Sequence, residues 1–254
     1  MAGASTEISA EQTAGVVDGT LAAEVLVDET MAALAARIYA YRLLHIVFGS
    51  EPSVQELQLL GSDETRQACE ALAAVGYGVE GLSLPMAVLA EGESDEALAE
   101  RLRSQFTRLF AVPGENYVKP WESVYVGKTD VLFTSTTLDV RQRYEALGFR
   151  AQEKGHFPED HLSMMLDFMA AASERTYEAA VAGDAAKVAR LLKAQDSFAE
   201  HHLLNWLPLL CDTLQAKDDT GFFAASAAFT RRLLTDDRSF VHRLNASLED
   251  YSAL

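Results

Sequence analysis

The chain has 254 residues, 49% of them hydrophobic and 23% charged, and a formal net charge of −17 at pH 7. That is enough apolar material for a sizeable core in one or two domains, while so acidic a field repels nucleic acid and anionic lipid and attracts basic ligands. Cys69 and Cys211 lie far apart without CxxC spacing and read as reduced, buried thiols of a cytoplasmic protein.

The charge is uneven. Residues 1–100 carry 17 acidic and 3 basic side chains, a net of −14, and residues 101–254 carry 21 and 18, a net of −3. The N-terminal "MAGASTEISAEQTAGVVDGT" has neither a basic n-region nor an apolar h-region, so it does not read as a secretory signal. Residues 1–28, acidic with scattered Ser, Thr and Gly, are expected to form a disordered arm before one domain over 29–254. From Thr30 the pattern turns helical, with Leu34, Ile38, Tyr41, His45 and Phe48 as a stripe that "EPS" stops after Gly49. In that stretch "MAALAARIYAYRLLHIVF" is the best candidate for a membrane span. Arg37, Arg42 and His45 interrupt it, so no stable membrane insertion is expected.

Helices are predicted next at 53–60 and 62–75, the second capped by Ser62 or Asp63, then a loop over "GYGVEGLSLP" and a helix from Ser94 to Phe110. "AVPGENYVKPWESVYVGKTD" breaks regular structure with two prolines and two glycines, and connections of that length are often functional. Helix resumes at 137–147, closed by Gly148, and again over 158–182 with Pro158 in the first turn. Asp184 caps a helix running to about Leu207, kinked at Pro208, and two more follow at 218–235 and 236–251. The expected fold is all-α, a single-domain bundle of about nine to ten helices.

Chemistry-bearing motifs are scarce. There is no HExxH, CxxC, GxSxG or phosphate loop, so no metal, cofactor or catalytic residue is assigned and the chain is not read as an enzyme. "FPEDH" places Asp160 beside His161 at a helix start, but neighbours on a helix point about 100° apart and do not form a dyad. Two readings stay open for the pair. One is a cap with a core-edge histidine; the other is an outward anion that, with Met165 nearby, receives a cationic and partly apolar peptide. Met164, Met165 and Met169 divide in the same way between core filling and a groove, and His202 and Trp206 lie on the apolar stripe of their helix.

Four motifs in order carry a resemblance: "PWESVY", "LFTSTTLDVRQRYEALGF", "PEDHLSMMLDFM" and "FAEHHLLNWLPLL". From about Arg101 to Leu214 the chain resembles the TorD/DmsD family of redox-enzyme maturation chaperones, most closely its DmsD-like branch. The resemblance implies a cytoplasmic, all-helical, non-enzymatic chaperone, monomer or homodimer. It would bind the twin-arginine signal peptide of a molybdopterin-containing reductase, of the dimethyl sulfoxide or trimethylamine N-oxide type, and assist cofactor insertion before export. The family's signal-binding positions fall here on Pro120, Trp121 and Ser123 and on Pro158, Asp160 and His161. Glu122 matches part of the family, and His202 with Trp206 matches a mainly architectural pattern. Chemistry adds Tyr125 and Met165, since a twin-arginine leader needs carboxylates for its guanidinium groups, here Asp160 and Glu122, beside an apolar groove formed by Trp121, Tyr125, Met165 and Phe168. The competing readings are a metal- or nucleotide-dependent helical hydrolase using His156, Asp160 and His161, and a helical adaptor.

Overall fold

Short polar side chains set several of the helix starts. The computed structural model describes residues 27–78, 94–127, 131–150 and 158–252. Its helices are α1 (Asp28–Gly49), α2 (Val54–Leu60), α3 (Asp63–Ala74), α4 (Asp95–Phe106), α5 (Glu122–Val126), α6 (Ser135–Ala146), α7 (Leu162–Val181), α8 (Ala185–Phe198), α9 (Leu207–Lys217) and α10 (Phe222–Ser252). Ser53 and Glu56 close a reciprocal capping box on α2, and Ser62, Ser94 and Asp184 accept a first-turn N–H on α3, α4 and α8. The architecture is all-α and forms one helical domain, as the periodicity implies. Most of the expected arm and loop, and His156, lie outside the described residues.

Four boundaries differ from the sequence reading. Helix α7 begins at Leu162 with His161 as its N-cap, so Pro158, Glu159 and Asp160 precede the helix instead of forming its first turn. The stretch after Pro120 contains a short helix, α5. The segment expected to kink at Pro208 is two helices. A π turn at Ala199–Leu203 ends the first, and Pro208 sits in the first turn of the second, where its missing N–H leaves no bond unmade. The last 31 residues described are one helix, because nothing at 235–236 breaks it and Asp218 accepts the N–H groups of Phe223 and Ala224 at its start.

By length and composition α1 could cross a bilayer. Here it is the central helix, laid most extensively against α7 and also against α3 and α10. Buried positions such as Ala33, Leu34, Ala36, Ala40, Leu43, Leu44 and Phe48 lie around much of its circumference, wider than a single stripe. At its end the close approach to α7 requires glycine: a Cβ on Gly49 would fall 2.5 Å from Ser163 Oγ.

Arg37, fully buried on α1, is the exception in this core. Its Nε donates to Asp237 Oδ1 at 2.5 Å, and its Nη2 donates to Asp237 Oδ2 at 2.9 Å and Gln195 Oε1 at 2.9 Å. Tyr41 and Tyr77 also donate to Asp237, at 2.8 and 2.6 Å. Burial alone would lower the Arg37 pKa, but the Asp237 carboxylate more than reverses that. Four donor hydrogens therefore converge on one carboxylate, and the three from Arg37 and Tyr41 tie the first helix to the last.

Removing one partner should be severe and removing both less so. Asp237→Leu is expected to lower unfolding free energy by about 3–5 kcal/mol, since it strands a buried cation. Combining Arg37→Met with Asp237→Leu should cost clearly less than the sum of the single changes. Urea denaturation of the four proteins checks it; strict additivity would show that the two side chains do not act as a pair.

Candidate functional site

A five-residue helix cannot hold itself together in water. Helix α5 is held by a crossing with the segment before α7. Trp121 and His161 form an isolated antiparallel bridge, with Leu162 N–H donating to Pro120 O at 2.9 Å and Glu122 N–H to Asp160 O at 3.0 Å. Asp160 then uses its side chain. Oδ2 accepts from Ser123 N–H at 2.8 Å, and Oδ1 accepts from Thr137 Oγ1 on α6 at 2.9 Å. Trp121, the N-cap of α5, makes no side-chain cap bond, so Asp160 supplies the missing acceptor from 37 residues away. A carboxylate at the positive end of a helix is electrostatically favourable as well.

The crossing brings the candidate residues together, but mostly below the surface. Asp160 is 0% exposed, so its anion does not face outward; of the two readings open in the sequence, the structure has the cap, made on α5 and not on its own helix. His161 is 8% exposed and Glu122 1%, while Pro120, Ser123, Pro158 and Met165 are buried too. Met165 and Phe168 line no open groove. They belong to the core, where Phe168 packs on Tyr144 and Phe198 at ring distances of 4.5 and 4.6 Å. Trp121 and Tyr125 are half-buried and so give the crossing its accessible aromatic surface. Tyr125 stacks on the buried Trp206, whose Nε1 donates to His202 O at 2.7 Å.

Glu122 is likewise engaged. His202 Nδ1 lies 3.0 Å from its Oε2, and Asn205 Nδ2 donates to its Oε1 at 2.8 Å. Burial outweighs those bonds and holds the Glu122 carboxyl above its ordinary pKa, with Asp160 adding to the rise. The other ring nitrogen of His202 lies 3.2 Å from Asp139 Oδ2, an electrostatic contact at an angle that makes no hydrogen bond. Asp139 is half-exposed, so it puts a carboxylate at the surface above this buried set.

His161 caps α7 through Nδ1, which accepts from Ser163 N–H at 3.1 Å, and its ring meets Trp121 edge-on at 5.0 Å. Burial, then the neighbouring His45, push its pKa down to about 3. Asp160 and His161 therefore serve different helices and share no proton. Burial also lifts both cysteine thiols to about 11, and the described residues contain no cluster of three or more His, Cys, Asp or Glu that could hold a metal. His156, required by the hydrolase reading, lies outside the described residues.

Sequence reasoning missed the supports. Thr137, Asp139 and Arg141 all lie in "LFTSTTLDVRQRYEALGF", a motif noted for its resemblance only. Arg141 makes a two-pronged bond to the buried Glu159, at 2.7 and 2.9 Å. Next to them Phe133 has φ 58°, a left-handed conformation that costs a non-glycine residue about 1–3 kcal/mol.

Comparison with known proteins follows these elements. Residues 62–212 match the model of the nitrate reductase delta subunit family. A chaperone protein TorD of Vibrio cholerae is 28% identical over 82% of this chain and 93% of its own length, and one of Shewanella oneidensis is 30% identical over 84% and 94%. A TorD of Photobacterium profundum is 31% identical, with the match spanning 49% of this chain and 56% of that protein.

Asp160→Ala should lower unfolding free energy by about 1–3 kcal/mol through the unmet Ser123 N–H and Thr137 hydroxyl, and Asp160→Asn by less, as read by urea denaturation. The His161 shift gives a pH signature. An unfolded histidine takes a proton near pH 6.5, and this one only near 3. Its contribution is thus complete above about pH 6.5 and is lost as pH falls toward 3. His161→Asn keeps a cap acceptor without the titration, so the fall in Tm between pH 7 and 4.5 should be shallower than in wild type. Equal slopes would remove His161 as a source.

Proposed function

This chain belongs to the nitrate reductase delta subunit family, whose members include the TorD chaperones, and we propose from that membership that it is a cytoplasmic chaperone for a molybdopterin-containing reductase. Its ligand on this reading is the twin-arginine leader of the catalytic subunit, held until the cofactor has been inserted. The observation that carries the reading is the crossing. Two segments from distant parts of the chain, each matching a signal-binding motif of the family, meet at residues 120–123 and 158–161 through paired backbone bonds.

The buried carboxylates define how such a site works. Asp160 and Glu122 build the surface from beneath, setting the angle of α5 and the pose of His202. Contact with the leader falls to what is accessible: Trp121 and Tyr125 for its apolar stretch and Asp139 for a guanidinium. An arginine suits that task because its planar fork bonds a carboxylate through two N–H groups, whereas lysine offers a point charge. The net charge of −17 supports encounter with a basic leader at long range, an effect that salt screens.

Isothermal titration with a synthetic leader tests this. Changing its arginine pair to lysines preserves charge, and the affinity should drop roughly 10- to 100-fold, the scale of one charge-assisted bond lost. Asp139→Asn should remove most of that discrimination. Equal affinities for the two peptides would refute guanidinium recognition at this surface.

A further inference from the structure

Eight large apolar side chains stand exposed among the described residues, and four of them, Val126, Val131, Phe133 and Leu138, fall within one short stretch of chain. Phe133 and Leu138, 50% and 51% exposed, line an open depression of about 390 Å³ together with Thr134, Ser135, Thr137 and Arg141. Three independent features mark it. The Phe133 backbone holds a left-handed conformation that glycine adopts freely, so the chain keeps an aromatic ring outward where the backbone favours having none. The Thr134 hydroxyl is shut off from solvent with no hydrogen-bond partner among the described residues. Finally, the only cation among the described lining residues is already neutralised, since Arg141 is bound at both prongs by Glu159.

We infer that this depression receives an apolar side chain of the same leader, and this rests on the reading proposed above. Continuity with the crossing supports the choice of occupant. Thr137 lines the depression and donates to Asp160, the residue that caps α5, so one side chain joins the two surfaces. Charge supports it as well, because a basic peptide with a greasy stretch complements an apolar hollow in a chain of net charge −17.

Two variants and two peptides test the assignment. The peptides are a synthetic twin-arginine leader with leucines in its apolar stretch, and the same leader with serines there. Leu138→Asn and Phe133→Gly should each weaken the leucine peptide about tenfold, the value of one buried large apolar side chain, and leave the serine peptide nearly unchanged. Phe133→Gly should at the same time raise Tm, because it relieves the backbone; a merely structural ring would lower stability when removed. Equal losses with both peptides, or none with either, would overturn the assignment while leaving the leader reading intact. Failure of the wild-type chain to bind either peptide would overturn both. Sedimentation supplies the last outcome: a wild-type dimer that Leu138→Asn dissociates would give this face to a second copy of the chain instead.

Discussion

One carboxylate, that of Asp160, holds three pieces of chain in register. Its backbone carbonyl and one side-chain oxygen accept the first two N–H groups of α5, and its other oxygen accepts from Thr137 on α6. Without an acceptor there, a five-residue helix has no means of satisfying its own start. The aromatic surface of Trp121 and Tyr125 stands on that helix, so the accessible part of the candidate site depends on a residue buried beneath it. A similar division holds for Glu122, whose bonds to His202 and Asn205 fix α5 to the π turn after α8.

Local rules made much of the scaffold readable. Ser62, Ser94 and Asp184 announce helix starts by their own side chains, and Gly148 and Gly183 end helices with φ of 74° and 71°. Non-local bonds were not readable. Arg37 breaks an apolar helix in the sequence, and only Asp237, 200 residues later, explains how the core accommodates it. Helix α5 escaped notice because its cap lies in another segment. The single helix α10 did so because the boundary expected at 235–236 has no breaking residue to produce it.

The site divides along the same line. Family motifs were enough to pair the 120s loop with the "PEDH" segment, and the structure does join them. They did not reveal which way the acids point. An aspartate before a helix has two electrostatically sensible placements, outward as a free anion or inward onto N–H groups, and sequence spacing is the same for both. Thr137 and the Ser123 amide decide it, and neither partner can be identified until the fold has placed α6. Met165 and Phe168 went to the core for a related reason: their face of α7 is covered by α1 and α8 and by the Tyr144 and Phe198 rings.

Burying the site's acids separates attraction from grip. A carboxylate inside the protein contributes little to a field felt at long range, and the acidic excess of the sequence is greatest over residues 1–100. Attraction of a basic peptide is therefore a property of the whole chain and fades with salt. On the proposed reading, grip comes from shape, from half-buried rings and from surface groups such as Asp139. Moving α5 away from Asp160 would break two hydrogen bonds from its amides, while the bond from Thr137 on α6 rests on the other carboxylate oxygen. The exposed ring of Phe133 lies just before that same helix. A peptide spanning both surfaces would thus lie over two faces joined through Asp160 and Thr137.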